Sequence, residues 1–174
     1  MIVHEVNPVI GTGDIYNVNS GGAEIKGFEL EVRAFVTEGL HIRLAGDINK
    51  TDVTSAAEFS STTKGKELIF APQNSVSLAI DYSLPLAGGW KLDFYLDRAW
   101  VAKQYTNAQN TLTIPKFERS NGRVTLHSPD EKWRVAFYGT NLENDEILRG
   151  RTATGKQFWH SPRQFGLEVG YRAK

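Results

Sequence analysis

The sequence predicts an all-β chain of about eight antiparallel strands in up-and-down order, on three observations. Apolar and polar residues alternate in short segments, no segment carries the 3.6-residue period of an amphipathic helix, and the connections alternate between short and long. A first strand is expected at about residues 2 to 9. The second is Phe28-Glu29-Leu30-Glu31-Val32-Arg33-Ala34, apolar at even positions and charged at most odd ones. Leu40-His41-Ile42-Arg43-Leu44, Val76-Ser77-Leu78-Ala79-Ile80-Asp81-Tyr82 and Trp90-Lys91-Leu92-Asp93-Phe94-Tyr95-Leu96-Asp97 repeat the pattern. Weaker copies are Arg123-Val124-Thr125-Leu126-His127, Trp133-Arg134-Val135-Ala136-Phe137 and Phe165-Gly166-Leu167-Glu168-Val169-Gly170-Tyr171-Arg172.

Thr37-Glu38-Gly39, Pro85-Leu86-Ala87-Gly88-Gly89 and Ser128-Pro129-Asp130-Glu131 are tight turns rich in Gly, Pro and acidic residues. Between them lie long polar connections at about 10 to 21, 50 to 71, 103 to 116 and 143 to 161. In an up-and-down sheet, alternate connections fall at opposite ends. All short turns are therefore expected at one end and all long loops at the other.

Composition removes whole classes of function. The 174 residues carry 20 Lys plus Arg against 20 Asp plus Glu, so no bulk positive charge drives nucleic-acid binding. The absence of cysteine excludes disulfides, thiolate metal sites and cysteine nucleophiles. No stretch approaches the roughly 18 to 20 apolar residues of a spanning helix. A membrane β-barrel remains open, because alternating strands give a soluble-looking mean hydropathy, here -0.36. The segment beginning Met1-Ile2-Val3-His4-Glu5-Val6 has no basic region or apolar run of signal-peptide length, so no export signal is expected in the chain as it stands.

The two strand faces differ in kind. One collects Phe28, Leu30, Val32, Leu40, Ile42, Leu44, Val76, Leu78, Ile80, Tyr82, Leu84, Trp90, Leu92, Phe94, Leu96, Val124, Leu126, Trp133, Val135, Phe137, Phe165, Leu167, Val169 and Tyr171, with no charge among them. The other carries Glu29, Glu31, Arg33, His41, Arg43, Asp47, Asp81, Lys91, Asp93, Arg123, Arg134 and Glu168. Alternation alone fits both a soluble barrel, apolar inside, and a membrane barrel, apolar outside. Trp90, Trp133, Tyr82 and Tyr171 near strand ends resemble an interfacial aromatic belt, and runs of about 9 to 11 residues are long enough to cross a bilayer when tilted. Both features favour the membrane arrangement. Lys26 and Arg98 fall on the apolar parity toward the long-loop end, where they are expected to reach interfacial phosphates, Arg98 alternatively following a β-bulge.

The chain resembles the carboxyl-terminal barrel strands of TonB-dependent outer-membrane receptors. Gly22-Ala23-Glu24-Ile25-Lys26-Gly27-Phe28-Glu29 is similar to that family's Glu-x-x-Gly-Phe/Val-Glu strand opening. Gly65-Lys66-Glu67-Leu68-Ile69-Phe70-Ala71-Pro72 is similar to the loop ending in Ala-Pro before a strand. Gly139-Thr140-Asn141-Leu142-Glu143-Asn144 resembles its Gly-x-Asn-Leu-x-Asp/Asn signature, and Pro162-Arg163-Gln164-Phe165-Gly166 resembles the opening of its last strand. The resemblance implies a partial barrel of a larger 22-stranded receptor in the Gram-negative outer membrane. It implies import of a siderophore or other scarce nutrient, not catalysis. The implied partners are outer-membrane lipid, the barrel-assembly machinery and the remainder of the receptor, with TonB engaged only through a plug that residues 1–174 do not contain. Ala173 and Lys174 depart from the aromatic ending the assembly machinery reads. Two rival readings remain: a stand-alone eight-stranded outer-membrane barrel, and a soluble β-barrel binding a small ligand.

Catalytic and metal motifs are not evident. His4, His41, His127 and His160 lack paired metal-ligand spacing, and Gly11-Thr12-Gly13 lacks the third glycine and helix of a phosphate loop. No nucleophile elbow occurs. Glu29 and Glu31 share a face, where Arg33 or Arg43 offers a simpler ion-pair explanation than acid–base chemistry. No cofactor is expected. For a transporter, loop ligand contacts are expected from Phe59, Lys64, Tyr105, Arg149, Arg151, Phe158 and Trp159, since aromatics with arginine suit a bulky anionic or conjugated ligand. The lumen-facing candidates are Glu29, Glu31, Arg33, His41, Arg43, Asp81, Lys91, Asp93, Arg123, Arg134 and Glu168.

Overall fold

The computed structural model describes residues 2–6, 15–19, 21–55, 63–152 and 154–173, the first two segments as backbone. The strands are β1 (Ile2–Val6), β2 (Ile15–Asn19), β3 (Ala23–Phe35), β4 (Leu40–Val53), β5 (Asn74–Pro85), β6 (Lys91–Val101), β7 (Gln104–Tyr105), β8 (Thr113–Ile114), β9 (Phe117–His127), β10 (Trp133–Thr140), β11 (Leu148–Arg151), β12 (Gln157–Trp159) and β13 (Gln164–Tyr171). The main sheet has seven strands in the order β13-β10-β9-β6-β5-β4-β3, each antiparallel to its neighbours. The all-β, up-and-down expectation agrees with this. The eighth expected strand differs: β1 pairs with β2 in a separate two-stranded sheet, so the connection expected at 10 to 21 contains a strand. Backbone pairing there satisfies donors and acceptors although residues 15–19 show little alternation.

The register carries one face across the whole sheet. Phe28 lies opposite Ile48, Val32 opposite Leu44, Leu44 opposite Leu78, Ile80 opposite Leu96, Phe94 opposite Val124, and Val124 opposite Phe137. Phe137 is then opposite Leu167. With a side-chain period of two, a one-residue slip anywhere would exchange the faces, so this agreement fixes the register.

The apolar face is bare. Phe28 is 66% exposed, Ile48 67% and Leu167 69%. The accessible surface is 12134 Å², against about 8,500 Å² for a compact monomer of this mass. Strands β3 and β13 are edges that do not pair with each other, so the described sheet is open. A soluble barrel closed around these residues would bury them, and an eight-stranded barrel closed on itself would leave no edge. Neither rival fits the described residues.

Three short turns lie at one end, 36–39, 86–90 and 128–132, each between strands of the main sheet. In the second, Leu86 N–H donates to the Trp90 carbonyl at 2.8 Å while Gly88 and Gly89 take positive φ, which glycine tolerates without strain. The long connections fall at the opposite end, and they contain structure that the polar composition of these segments hid. β4 continues to Val53, β7 pairs with β8, and β11 pairs with β12. Two-stranded hairpins of two to four residues are too short for alternation to register in sequence.

Candidate functional site: the loop cap and the polar face

Among the described residues, four of the five buried apolar ones, Val53, Ile114, Ile147 and Leu148, lie in the long-loop region, where β8 packs against β11. Polar hooks tie the loops together. Asn110 accepts from the Glu67 N–H at 2.7 Å and donates to the Glu67 carbonyl at 3.0 Å, joining the β7–β8 hairpin to the 63–73 segment. Phe70 N–H donates to the Tyr105 carbonyl, and Leu68 N–H to the Thr51 hydroxyl at 3.0 Å.

The Gly139–Asn144 motif has a physical reason. Asn141 is 2% exposed with φ 51, a left-handed conformation asparagine tolerates better than most residues. Its amide donates to the carbonyls of Asp145 (2.9 Å) and Ser161 (3.2 Å) and accepts from Asp145 N–H (3.1 Å), so one side chain joins both arms of the 141–163 loop. Glu143 then clamps the loop onto β9, accepting from the Ser120 hydroxyl (2.5 Å) and backbone N–H (3.0 Å) and from Arg98 (3.0 Å). Those Ser120 bonds, with the Arg98 charge beside them, hold the Glu143 carboxyl below its ordinary value. Gly139 is required because a Cβ there would lie 2.7 Å from Leu142 and 2.8 Å from the Phe165 ring.

Arg98 therefore differs from expectation. The β6 ladder runs through it without a bulge, and its guanidinium meets Glu118 (2.5 Å) and Glu143 rather than standing free for lipid phosphate.

The loop candidates are distributed over the cap. Phe59 lies outside the described residues. Lys64 is exposed beside buried Thr63, and Tyr105 sits in β7 beneath Lys103, whose ammonium lies 4.8 Å from the ring centre. The β11–β12 hairpin brings four together: Arg149 and Arg151 on one strand, half-exposed Phe158 and Trp159 on the other. Lys156 stands 5.4 Å from the Phe158 ring centre.

Two contributors were missed in sequence. Arg119, on the polar parity of β9, has a buried Nε without a hydrogen-bond partner, and His160 lies with its ring 6.2 Å from Phe117. Burial, then the nearby charges of Arg119 and Arg149, hold His160 below its ordinary 6.5. Among the described residues, Arg119, Arg149 and Arg151 have no carboxylate within salt-bridge distance. Extending the β9 parity back from Arg123 would have flagged Arg119; nothing in sequence places His160 beside it.

On the other face, every candidate from Glu29 to Glu168 shares one side of the sheet. Neighbouring strands are joined there by Arg43–Asp81 (3.3 Å), Asp93–His127 (2.9 Å) and Arg134–Glu168 (2.9 Å). Lys91 meets Asp93 at 3.1 Å along its own strand. Arg123 also reaches Glu168 (2.9 Å) across β10, where the residue opposite Glu168 is Ala136, short enough to pass over. Glu31 pairs with Arg33 at 2.7 Å, the ion-pair alternative to acid–base work; Glu29 is not part of that pair. Arg33, His41, Arg43, Asp81, Asp93 and Arg123 line an open trough of about 470 Å³. Among the described residues no cluster of three or more His, Asp or Glu is arranged to hold a metal.

Comparison with known proteins agrees with this geometry. The family described as TonB dependent receptor-like, beta-barrel matches residues 3–142. The fold is similar to that of the ferric yersiniabactin uptake receptor FyuA from Yersinia pestis (TM-score 0.79, 16% identity, covering 90% of this chain and 24% of that one). It is also similar to BauA, the ferric preacinetobactin receptor from Acinetobacter baumannii (TM-score 0.73, 20% identity, 98% and 25%). A third similar structure is the ferripyoverdine receptor of the Pseudomonas aeruginosa outer membrane (TM-score 0.66, 17% identity, 95% and 21%). The chain thus spans about a quarter of the length of the receptors it matches first. Comparison with curated protein sequences gave no match. With its apolar face bare, its edges open and its barrel family matched over most of its length, the chain belongs to the TonB-dependent receptor-like β-barrel family of the Gram-negative outer membrane, and is part of such a receptor.

Proposed function

We propose that residues 1–174 form the carboxyl-terminal segment of a TonB-dependent receptor that imports a ferric siderophore or a similarly bulky, scarce nutrient, with the plug carried elsewhere in the receptor. The long-loop end faces outward and captures the ligand. The mixed-charge face, Glu29, Glu31, Arg33, His41, Arg43, Asp81, Lys91, Asp93, Arg123, Arg134 and Glu168, lines the lumen. Its paired charges present neither sign in excess, which lets a charged solute pass without being held.

The observation that carries the reading is the pair of hairpin arginines without carboxylate partners among the described residues, Arg149 and Arg151, on the strand paired with exposed Phe158 and Trp159. Guanidinium groups whose charge no carboxylate neutralises can pair with an anionic chelate, and the rings with its flat, conjugated parts. Lys64, Tyr105 and Phe59 are the remaining proposed contacts. TonB would act through the plug, and the barrel-assembly machinery would insert the strands.

The test is chelate binding by the native receptor in detergent, followed by intrinsic tryptophan fluorescence, against a panel of ferric catecholate, hydroxamate and carboxylate chelates. One class is expected to bind, and replacing Arg149 and Arg151 with Ala should weaken it by about tenfold or more, the loss of charge-assisted bonds. Failure of every chelate, or unchanged affinity in the double variant, would overturn the reading.

A further inference from the structure

Two glycines stand side by side in the apolar face of the wall. One pleat toward the long loops from Phe94, Val124, Phe137 and Leu167, the same face reads Leu96, Gly122, Gly139 and Phe165, each directly opposite the next from β6 to β13. Glycine inside a strand weakens it and marks the close approach of another group. The group here is Leu142, from the loop that follows β10. One of its methyls lies 3.6 Å from where a Cβ would stand on Gly122, and the other 2.7 Å from the same point on Gly139. Leu142 also borders an open groove of about 360 Å³ with Leu96, Val124, Phe137 and Phe165, all on the apolar face. A residue of the loop cap thus turns back over the wall and is seated on its membrane side.

The same residue ties the two arms of the 141–163 loop to the wall. Leu142 N–H donates to the Ser120 carbonyl on β9 at 3.0 Å, and the Leu142 carbonyl accepts from Arg163 Nη1 on the returning arm at 3.4 Å. Arg163 N–H donates in turn to the Asn144 side-chain oxygen at 3.1 Å. With the bonds of Asn141 and Glu143 on either side, the loop base is a closed frame, and Leu142 is its apolar foot. Beyond the frame, His160 N–H donates to the Ile147 carbonyl at 2.9 Å and closes the β11–β12 hairpin that carries Arg149, Arg151, Phe158 and Trp159. A shift of the frame therefore shifts the hairpin.

We infer that Leu142 is a positioning residue for this hairpin: seated in the Gly122–Gly139 dent, it fixes from the membrane side where the hairpin's arginines and rings stand. This rests on the ligand role proposed above for the hairpin. Leu142 acts through the frame and not by touching ligand. Without its methyls the dent is left as a void, and the frame is held by polar bonds alone.

The experiment reads hairpin position and ligand affinity separately, in the intact receptor in detergent. Residues 1–174 contain no cysteine, so spin labels on K116C, just before β9, and K156C, in the hairpin, report one distance by double electron–electron resonance once any cysteine elsewhere in the receptor is replaced by serine. The unsubstituted loop should give one narrow distance, L142A a broadened or shifted one, and L142M should restore it. G139A, whose new methyl would collide with Leu142, should reproduce L142A; G122A, whose new methyl has room, should not. In unlabelled receptor, whichever ferric catecholate, hydroxamate or carboxylate chelate binds wild type should bind L142A and G139A about three- to tenfold more weakly. L142M and G122A should stay within about twofold. The strand wall should remain protease-resistant in all four variants. An unmoved hairpin in L142A, wild-type affinity despite a moved hairpin, equal effects of G122A and G139A, or a wall that loses protection in L142A would overturn the positioning role. A hairpin that moves as expected in a receptor that binds none of the chelates would support the seat and overturn the ligand reading instead.

Discussion

The loop cap and the strand wall are built on opposite economies of water. The cap has its own small core, Val53, Ile114, Ile147 and Leu148, and satisfies its buried amides internally through Asn110 and Asn141. The wall leaves Phe28, Ile48 and Leu167 more than three-fifths bare and puts its polar bonds on the other face. The cap is thus folded for water and the wall for lipid. The proposed role asks for both at once, because a surface that captures a dissolved ligand must hold its shape while standing on strands that water would destabilise.

Removing detergent separates the two most strongly. The extracted chain should oligomerise or aggregate through its bare face and open edges, read by light scattering, while a detergent-free monomer unfolding cooperatively would break the comparison. Single charges come next. Ile80→Arg on the apolar face should cost about 2 to 4 kcal/mol by denaturant unfolding in bilayers, whereas Ala79→Arg, one residue away on the polar face, should cost less than about 1 kcal/mol. Asn141→Ala should cost about 2 to 3 kcal/mol, because carbonyls and an N–H lose their partner. That loss is local: proteolysis should open the 141–163 segment while the strand wall stays intact.

Glu143→Gln should loosen the same clamp by about 1 to 2 kcal/mol, the lost charge assistance in its bonds to Ser120 and Arg98. Its pH dependence has a fixed sign. The folded carboxyl titrates below its ordinary 4.5, so the clamp's contribution is complete above that value and is lost as pH falls through the lowered one. Hydrogen exchange across 141–147 should therefore quicken below about pH 4.5 in the native chain, and the Gln variant should lack that step. The smallest effect is expected at Arg33→Ala, which breaks an exposed pair with Glu31 and should change stability by less than about 1 kcal/mol.

The wall was legible in sequence because a period of two writes its faces directly into residue order. Phe28 through Tyr171 on one side and Glu29 through Glu168 on the other are recovered by the ladder registers. The cap was read less well. Hairpins as short as β7–β8 leave no periodic trace, and residues 15–19 pair through backbone that any side chain supplies. The Gly139–Asn144 motif was visible as a string of letters; its work, one buried amide joining two arms of a loop, required contacts about 20 residues apart in sequence.

By itself the sequence determined fold class, the assignment of residues to faces, the two unlike ends and the family resemblance, all properties of local order and composition. Tertiary structure alone decided that Arg98 is neutralised by Glu118 and Glu143, that Arg123 reaches Glu168 over Ala136, that the charges of Arg119 and Arg149 act on His160, and that Lys26 faces Lys50. The physical reason is common to all four. Electrostatic pairing depends on distance through space, and alternation specifies which side of a strand a charge occupies without specifying which charge it will meet.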